Sequence, residues 1–126
     1  MKYRAICENH LYSKAYTKGK KFITQDLRVY VLPDYHAERL RRANPLKQRI
    51  NRIGLTVSKK IGGAVVRSRV KRIIREAYRA TDKEYRVRTG HLIVIAARES
   101  ATVRKSTELA EQLKKAFDKL GLIKLS

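Results

Sequence analysis

The groups best able to do chemistry in this chain crowd into Gly54 to Arg79, GLTVSKKIGGAVVRSRVKRIIREAYR. Ser68, Lys71, Arg72, Arg75 and Arg79 recur every three or four residues, which places them on one stripe of a helix. Arg67 and Arg69 stand on the shoulders of that stripe, and Glu76 is the one acid in the helix. Like charges at such spacing destabilise an isolated helix. A phosphate backbone lying along the stripe would offset that cost. Lys59, Lys60 and the Gly62-Gly63 pair precede the helix, where unpaired N–H groups and a partial positive charge favour anions. The spacing is not that of a nucleotide-binding P-loop.

A second set pairs aromatic rings with cations. In Leu27 to Leu32, Leu27, Val29 and Val31 share one face of a strand, and Arg28 and Tyr30 share the other. A ring beside a guanidinium suits single-stranded nucleic acid, because bases stack on the ring while the cation meets phosphate. An ordinary solvated strand face carries the same two residues. Tyr12 and Tyr16 lie one helical turn apart near the N-terminus, as core packing or as a stacking platform.

Catalytic groupings are missing from the pattern. His10, His36 and His91 are scattered, with no metalloprotease or zinc spacing. Cys7 has no evident partner base and is read as inert. The acids are few and dispersed, which argues against a two-metal nuclease centre. These features point to a binder.

The elements that must hold these groups follow from periodicity. Glu8 to Lys18 reads as a helix, with Asn9 as a candidate N-cap and Gly19 as the C-terminal stop. Phe22 to Thr24 and Leu27 to Leu32 read as strands, the second ended by Pro33. Asp34 to Asn51 is a long polar connection, with one helical turn expected at His36 to Arg42. Arg52 to Ser58 alternates, with Ile53, Leu55 and Val57 inward and Gly54, Thr56 and Ser58 on a small-residue outer face. The basic helix spans Ala64 to Arg79, its buried stripe being Val66, Val70, Ile73, Ile74 and Ala77. Thr81 to Thr89 reads as a charged connection. His91 to Ala97 is a central strand covered on both faces. Ser106 to Leu120 is a packing helix with Ser106 as N-cap and Gly121 as its stop. The expected fold is α+β, a small mixed or antiparallel sheet of about four strands packed with helices in the order α-β-β-β-α-β-α.

Composition agrees with a polyanion partner. The 126 residues suit one domain, and the 43% apolar fraction suits a packed core. Lys and Arg total 31 against 11 Asp and Glu, a net charge of +20. A compact domain so charged repels itself unless it meets a polyanion, with nucleic acid first and an anionic membrane surface second. A single cysteine permits no internal disulfide, and no apolar run reaches about 18 residues, so a cytoplasmic location and no membrane partner are expected.

Lys59-Lys60-Ile61-Gly62, then Arg67-Ser68-Arg69-Val70-Lys71-Arg72 and Arg75, resembles the signature helix of the bacterial ribonuclease P protein family. Gly54 to Ser58, Tyr12 to Tyr16 before Lys18-Gly19, and Tyr30 also match in order. Ser68 departs from the pattern, standing where the family usually has asparagine, as does Gly63. The resemblance implies an accessory subunit of a ribozyme whose RNA, using Mg²⁺, removes the 5′ leader of precursor tRNA. It implies no cofactor on the protein, a 1:1 complex with the RNA, and a left-handed β-α-β crossover around the basic helix. It also implies roles: RNA binding for Lys59, Lys60, Arg67, Ser68, Arg69, Lys71, Arg72, Arg75 and Arg79, and a leader cleft at Tyr12, Tyr16, Arg28, Tyr30 and Thr56. Composition alone allows a generic RNA-binding or ribosomal protein equally well, and an autonomous nuclease is the third reading.

Overall fold

The structure, a computed structural model, describes residues 3–6, 9–33 and 51–123. The connection expected over Asp34 to Asn51 lies outside them except for Asn51, as do Cys7 and His36. Five strands form one mixed sheet in the order β1-β4-β5-β3-β2. They are β1 (Tyr3–Ala5), β2 (Lys20–Ile23), β3 (Leu27–Pro33), β4 (Asn51–Thr56) and β5 (His91–Ala97). Three α-helices join them: α1 (Asn9–Lys18), α2 (Ala64–Tyr85) and α3 (Ser106–Lys119), with a 3₁₀ turn over Glu99–Val103. The expected α-β-β-β-α-β-α order is present, preceded by the short edge strand β1. Three residues are too few to show a period, so β1 is set by its parallel pairing with β4.

The sheet is covered unequally. On one face Leu27, Val29, Ile53, Ile93 and Ile95 meet α2 and α3 through Val70, Ile74, Leu109, Leu113 and Phe117. On the other, Leu32, Leu92 and Val94 meet α1 through Leu11 and Ala15, together with Ile6. Central β5 is therefore apolar on both faces, as its sequence requires. β4 and β5 are parallel neighbours joined through α2, while β3 runs antiparallel to β5. The helix α1 is short, and its Tyr16 reaches Thr56 at the end of β4.

Three local expectations change. The basic helix continues to Tyr85, so most of the Thr81–Thr89 connection is helical. Thr81 and Asp82 are buried polar residues that extend the inner stripe. The Thr81 hydroxyl donates to the Ala77 carbonyl at 2.9 Å, and Asp82 accepts from the Val87 N–H at 3.0 Å beyond the helix end. At the last helix the N-cap is Lys105 rather than Ser106, its N–H held by the Glu108 carboxylate at 3.2 Å. Val66 is 37% exposed and Val65 84%, so the buried stripe of α2 effectively begins at Val70.

Two glycines end helices for different reasons. Gly121 has φ +79 and allows Leu122 N–H to reach the Phe117 carbonyl at 2.8 Å, closing α3 in a Schellman turn. Gly19 is needed for space, since a Cβ there would stand 2.6 Å from the Ala15 carbonyl oxygen.

Candidate nucleic-acid interface

The sheet separates the two sets of residues singled out by sequence. Strand register builds the first. Thr56 pairs with Ala96 and Ala96 with Arg28, so these three form a row across β4, β5 and β3. In the next row Gly54 pairs with Val94, Val94 with Tyr30, and Tyr30 with Lys21. Paired residues project from the same face. That face carries α1, so Tyr12 and Tyr16 come down over these rows.

Contacts between the elements are specific. The Tyr16 hydroxyl and the Thr56 hydroxyl share a hydrogen bond of 3.0 Å. The Tyr16 ring meets the Tyr30 ring edge to face, centroids 4.8 Å apart at 81°, a favoured aromatic geometry. Tyr12 lies over Gly54, where a Cβ would stand 2.6 Å from the ring. The glycine is therefore the reason the ring can approach the sheet. Tyr12 packs on the buried cluster, while Tyr16 keeps 41% exposure. Arg28 is exposed and Tyr30 half-buried. Tyr12, Tyr16, Arg28, Tyr30 and Thr56 thus converge on one surface.

Beyond the Thr56 row the surface sinks into an open depression of about 660 Å³. Arg28, Ala96 and Lys60 line it, so Lys60 joins the sheet surface to the basic turn. Sequence reasoning passed over Arg98, Glu99 and Ser100, which also line it. The available signal was the step from an apolar strand to small Ala96-Ala97 and then to charge.

The second set occupies α2, packed on the opposite face of the sheet. Ser68, Arg72, Arg75 and Arg79 are exposed, and Lys71 is half-buried. Arg69 is exposed but fixed, one guanidinium nitrogen donating to the Thr102 carbonyl at 2.9 Å. Arg67 is half-buried, and its Nε finds no hydrogen-bond partner. The helix starts after Gly63, in extended conformation and without a side-chain cap. Gly63 has open space where a Cβ would be, whereas at Gly62 a Cβ would stand 2.9 Å from Val66. Lys59 and Lys60 are exposed beside this helix start.

A buried polar knot braces the rim of the depression. Asp26 is fully buried between β2 and β3. It meets Arg104 Nε at 2.9 Å and accepts from the Gln112 amide, whose oxygen in turn accepts from the Asp26 N–H at 2.9 Å. Burial pushes the Asp26 carboxyl upward, but hydrogen bonds from Ser100, Gln112 and Arg104, with the Arg104 charge, outweigh it and hold it below the usual carboxylate value. Among the described residues no three His, Cys, Asp or Glu side chains come together to hold a metal, and no helix is long and apolar enough to cross a membrane.

Comparison with known proteins agrees with this architecture. The family model for ribonuclease P matches residues 1–121. A ribonuclease P protein component from Clostridium acetobutylicum is 37% identical over 123 residues, 98% of this chain and 93% of that protein. Another, from Alkaliphilus metalliredigens, is 35% identical over 116 residues, 92% of each. The RNase P protein of Staphylococcus aureus superposes with a TM-score of 0.74 at 23% identity, covering 98% of this chain and all of that one. That of Thermotoga maritima gives 0.64 at 19% identity, covering 90% and 92%. The last two carry the fold alone. The family model and the relatives, which match nearly its whole length, show that the chain belongs to the ribonuclease P protein family.

Proposed function

We infer that this chain binds the catalytic RNA of ribonuclease P through α2 and holds the single-stranded 5′ leader of precursor tRNA across the α1 face of the sheet. Family membership makes it a component of an endoribonuclease of tRNA processing. In this reading the RNA subunit performs phosphodiester hydrolysis with Mg²⁺, and the protein contributes affinity and placement. One protein serves one RNA.

The division of labour follows from the two faces. Arg72, Arg75, Arg79 and Lys71 neutralise phosphates of a folded RNA without needing its sequence. Arg67, Arg69 and Ser68 extend that contact towards the helix start. Ser68 offers one hydroxyl where an amide would both donate and accept, so its contact is simpler. Across the sheet, a leader base stacks on the exposed Tyr16 and the half-buried Tyr30 while Arg28 meets its phosphate. Lys59 and Lys60 lie between the two.

The observation that carries this reading is the convergence at Tyr16. Residues from α1, β3 and β4 meet there through the Thr56 hydrogen bond and the Tyr30 ring contact. Beside them Arg28 is exposed and Ala96 half-buried. A generic basic protein would need no such aromatic seat. The test is Tyr30→Ala, assayed in the complete ribonucleoprotein. Binding of precursor tRNA weakens by roughly 1–3 kcal/mol, the worth of one stacked base, and binding of mature tRNA does not change. Equal losses for both substrates refute the leader seat.

A further inference from the structure

Glu99 stands out on a molecule of net charge +20. It lines the same depression as Arg28, Lys60 and Arg98. Among the described residues its carboxylate makes neither an ion pair nor a hydrogen bond. Arg98 is engaged elsewhere, one guanidinium nitrogen donating to the Thr24 carbonyl at 3.1 Å. Lys60 and Arg28 are exposed.

The depression has the parts of a nucleotide seat. Its volume of about 660 Å³ falls within the roughly 300–1,000 Å³ typical of small-ligand sites. Ala96, on the same sheet face as Arg28, gives it a small apolar floor, on which the face of a base can lie. Cations on its rim suit phosphate. A carboxylate there repels phosphate and accepts hydrogen bonds only. The nucleotide is therefore oriented, with its phosphate towards Arg28 and Lys60 and its base edge towards Glu99.

Base chemistry then decides which nucleotide fits. Guanine presents two adjacent donors, N1–H and the N2 amino group, which match the two oxygens of a carboxylate. Adenine and cytosine each present one amino group beside a ring-nitrogen acceptor. Uracil presents a single N–H between two carbonyl oxygens, which repel a carboxylate. Single-stranded RNA is read in this way, on unpaired base edges. We propose that Glu99 is a specificity-determining residue, reading guanine in preference to uracil at one position of the single-stranded RNA that crosses the sheet. The inference rests on the leader reading given above.

The experiment uses the full chain assembled with ribonuclease P RNA and a pool of precursor tRNAs randomised in the leader, with relative kcat/KM read from competition. The wild-type protein favours guanine over uracil at one leader position by about fivefold or more, the low end of a bidentate base contact. Glu99→Gln and Glu99→Ala flatten that position to within about twofold and leave the other positions unchanged. A wild-type profile without guanine preference, or a preference that survives both substitutions, overturns the proposal. Tyr30→Ala in the same pool separates the two claims. If Tyr30→Ala lowers kcat/KM across the pool while the Glu99 variants change nothing, the leader seat stands and the Glu99 role falls. If Tyr30→Ala has no effect, the leader seat itself falls and takes the Glu99 role with it.

Discussion

Gly54→Ala is the most revealing single change, because it adds one methyl group between the sheet and Tyr12. The new Cβ would stand 2.6 Å from Tyr12 Cε1 and 2.7 Å from Cζ and Oη. Ordinary contact between such atoms needs about 3.5–4.0 Å. The ring must therefore lift by about 1 Å from the strand. Overpacking of this kind costs about 1–3 kcal/mol. It is opposed by the gain of roughly 0.5–1 kcal/mol from replacing glycine in a strand. A net loss near 1–2 kcal/mol is expected in urea unfolding. The lifted ring also intrudes on the surface shared by Tyr16 and Tyr30, so precursor tRNA binding weakens while mature tRNA binding holds. The decisive form is a double-mutant cycle with Tyr12→Ala. Once the ring is gone, Gly54→Ala becomes neutral or stabilising, giving a coupling of about 1–3 kcal/mol. A Gly54→Ala cost that is the same with and without the Tyr12 ring refutes the reasoning.

Other perturbations probe other parts. Asp26 is held below the ordinary carboxylate value, so its stabilisation is full above the unfolded pKa of about 3.9 and is lost as pH falls through the lower folded value. Asp26→Asn should remove that acid limb from the stability profile. Its cost should fall towards the low end of about 3–5 kcal/mol for a broken buried pair, because Arg104 keeps 28% exposure. A loss under about 1 kcal/mol in urea unfolding contradicts the knot. Arg72→Ala and Arg75→Ala should each weaken binding to ribonuclease P RNA and lower the salt slope by about one counterion. An unchanged slope in a salt titration removes that arginine from the phosphate contact.

Much of the site was legible because strands and helices impose fixed periods. The alternation of Leu27, Val29 and Val31 with Arg28 and Tyr30 gave both faces of β3 correctly. The arginine stripe of α2 followed from the 3.6-residue repeat. The end of α2 was not legible, since Thr81 and Asp82 are polar and their burial depends on local hydrogen bonds that no hydrophobic period records. Burial of Asp26 was hidden for the same reason, its partners Arg104 and Gln112 lying far along the chain. Gly54 offered a small-residue face in sequence, but only the fold shows that Tyr12 fills it. Ser68 sits exposed within the unbroken helix α2.

In the proposed function, α2 docks this chain on a catalytic RNA and thereby aids removal of the tRNA leader. Reconstitution tests it most directly. The protein is mixed with ribonuclease P RNA and precursor tRNA at low Mg²⁺, and cleavage at the mature 5′ end is compared with RNA alone. Enhanced cleavage by the mixture, with none by the protein alone, is the predicted result. Cleavage no faster than that of RNA alone, or cleavage by the protein without RNA, would contradict it.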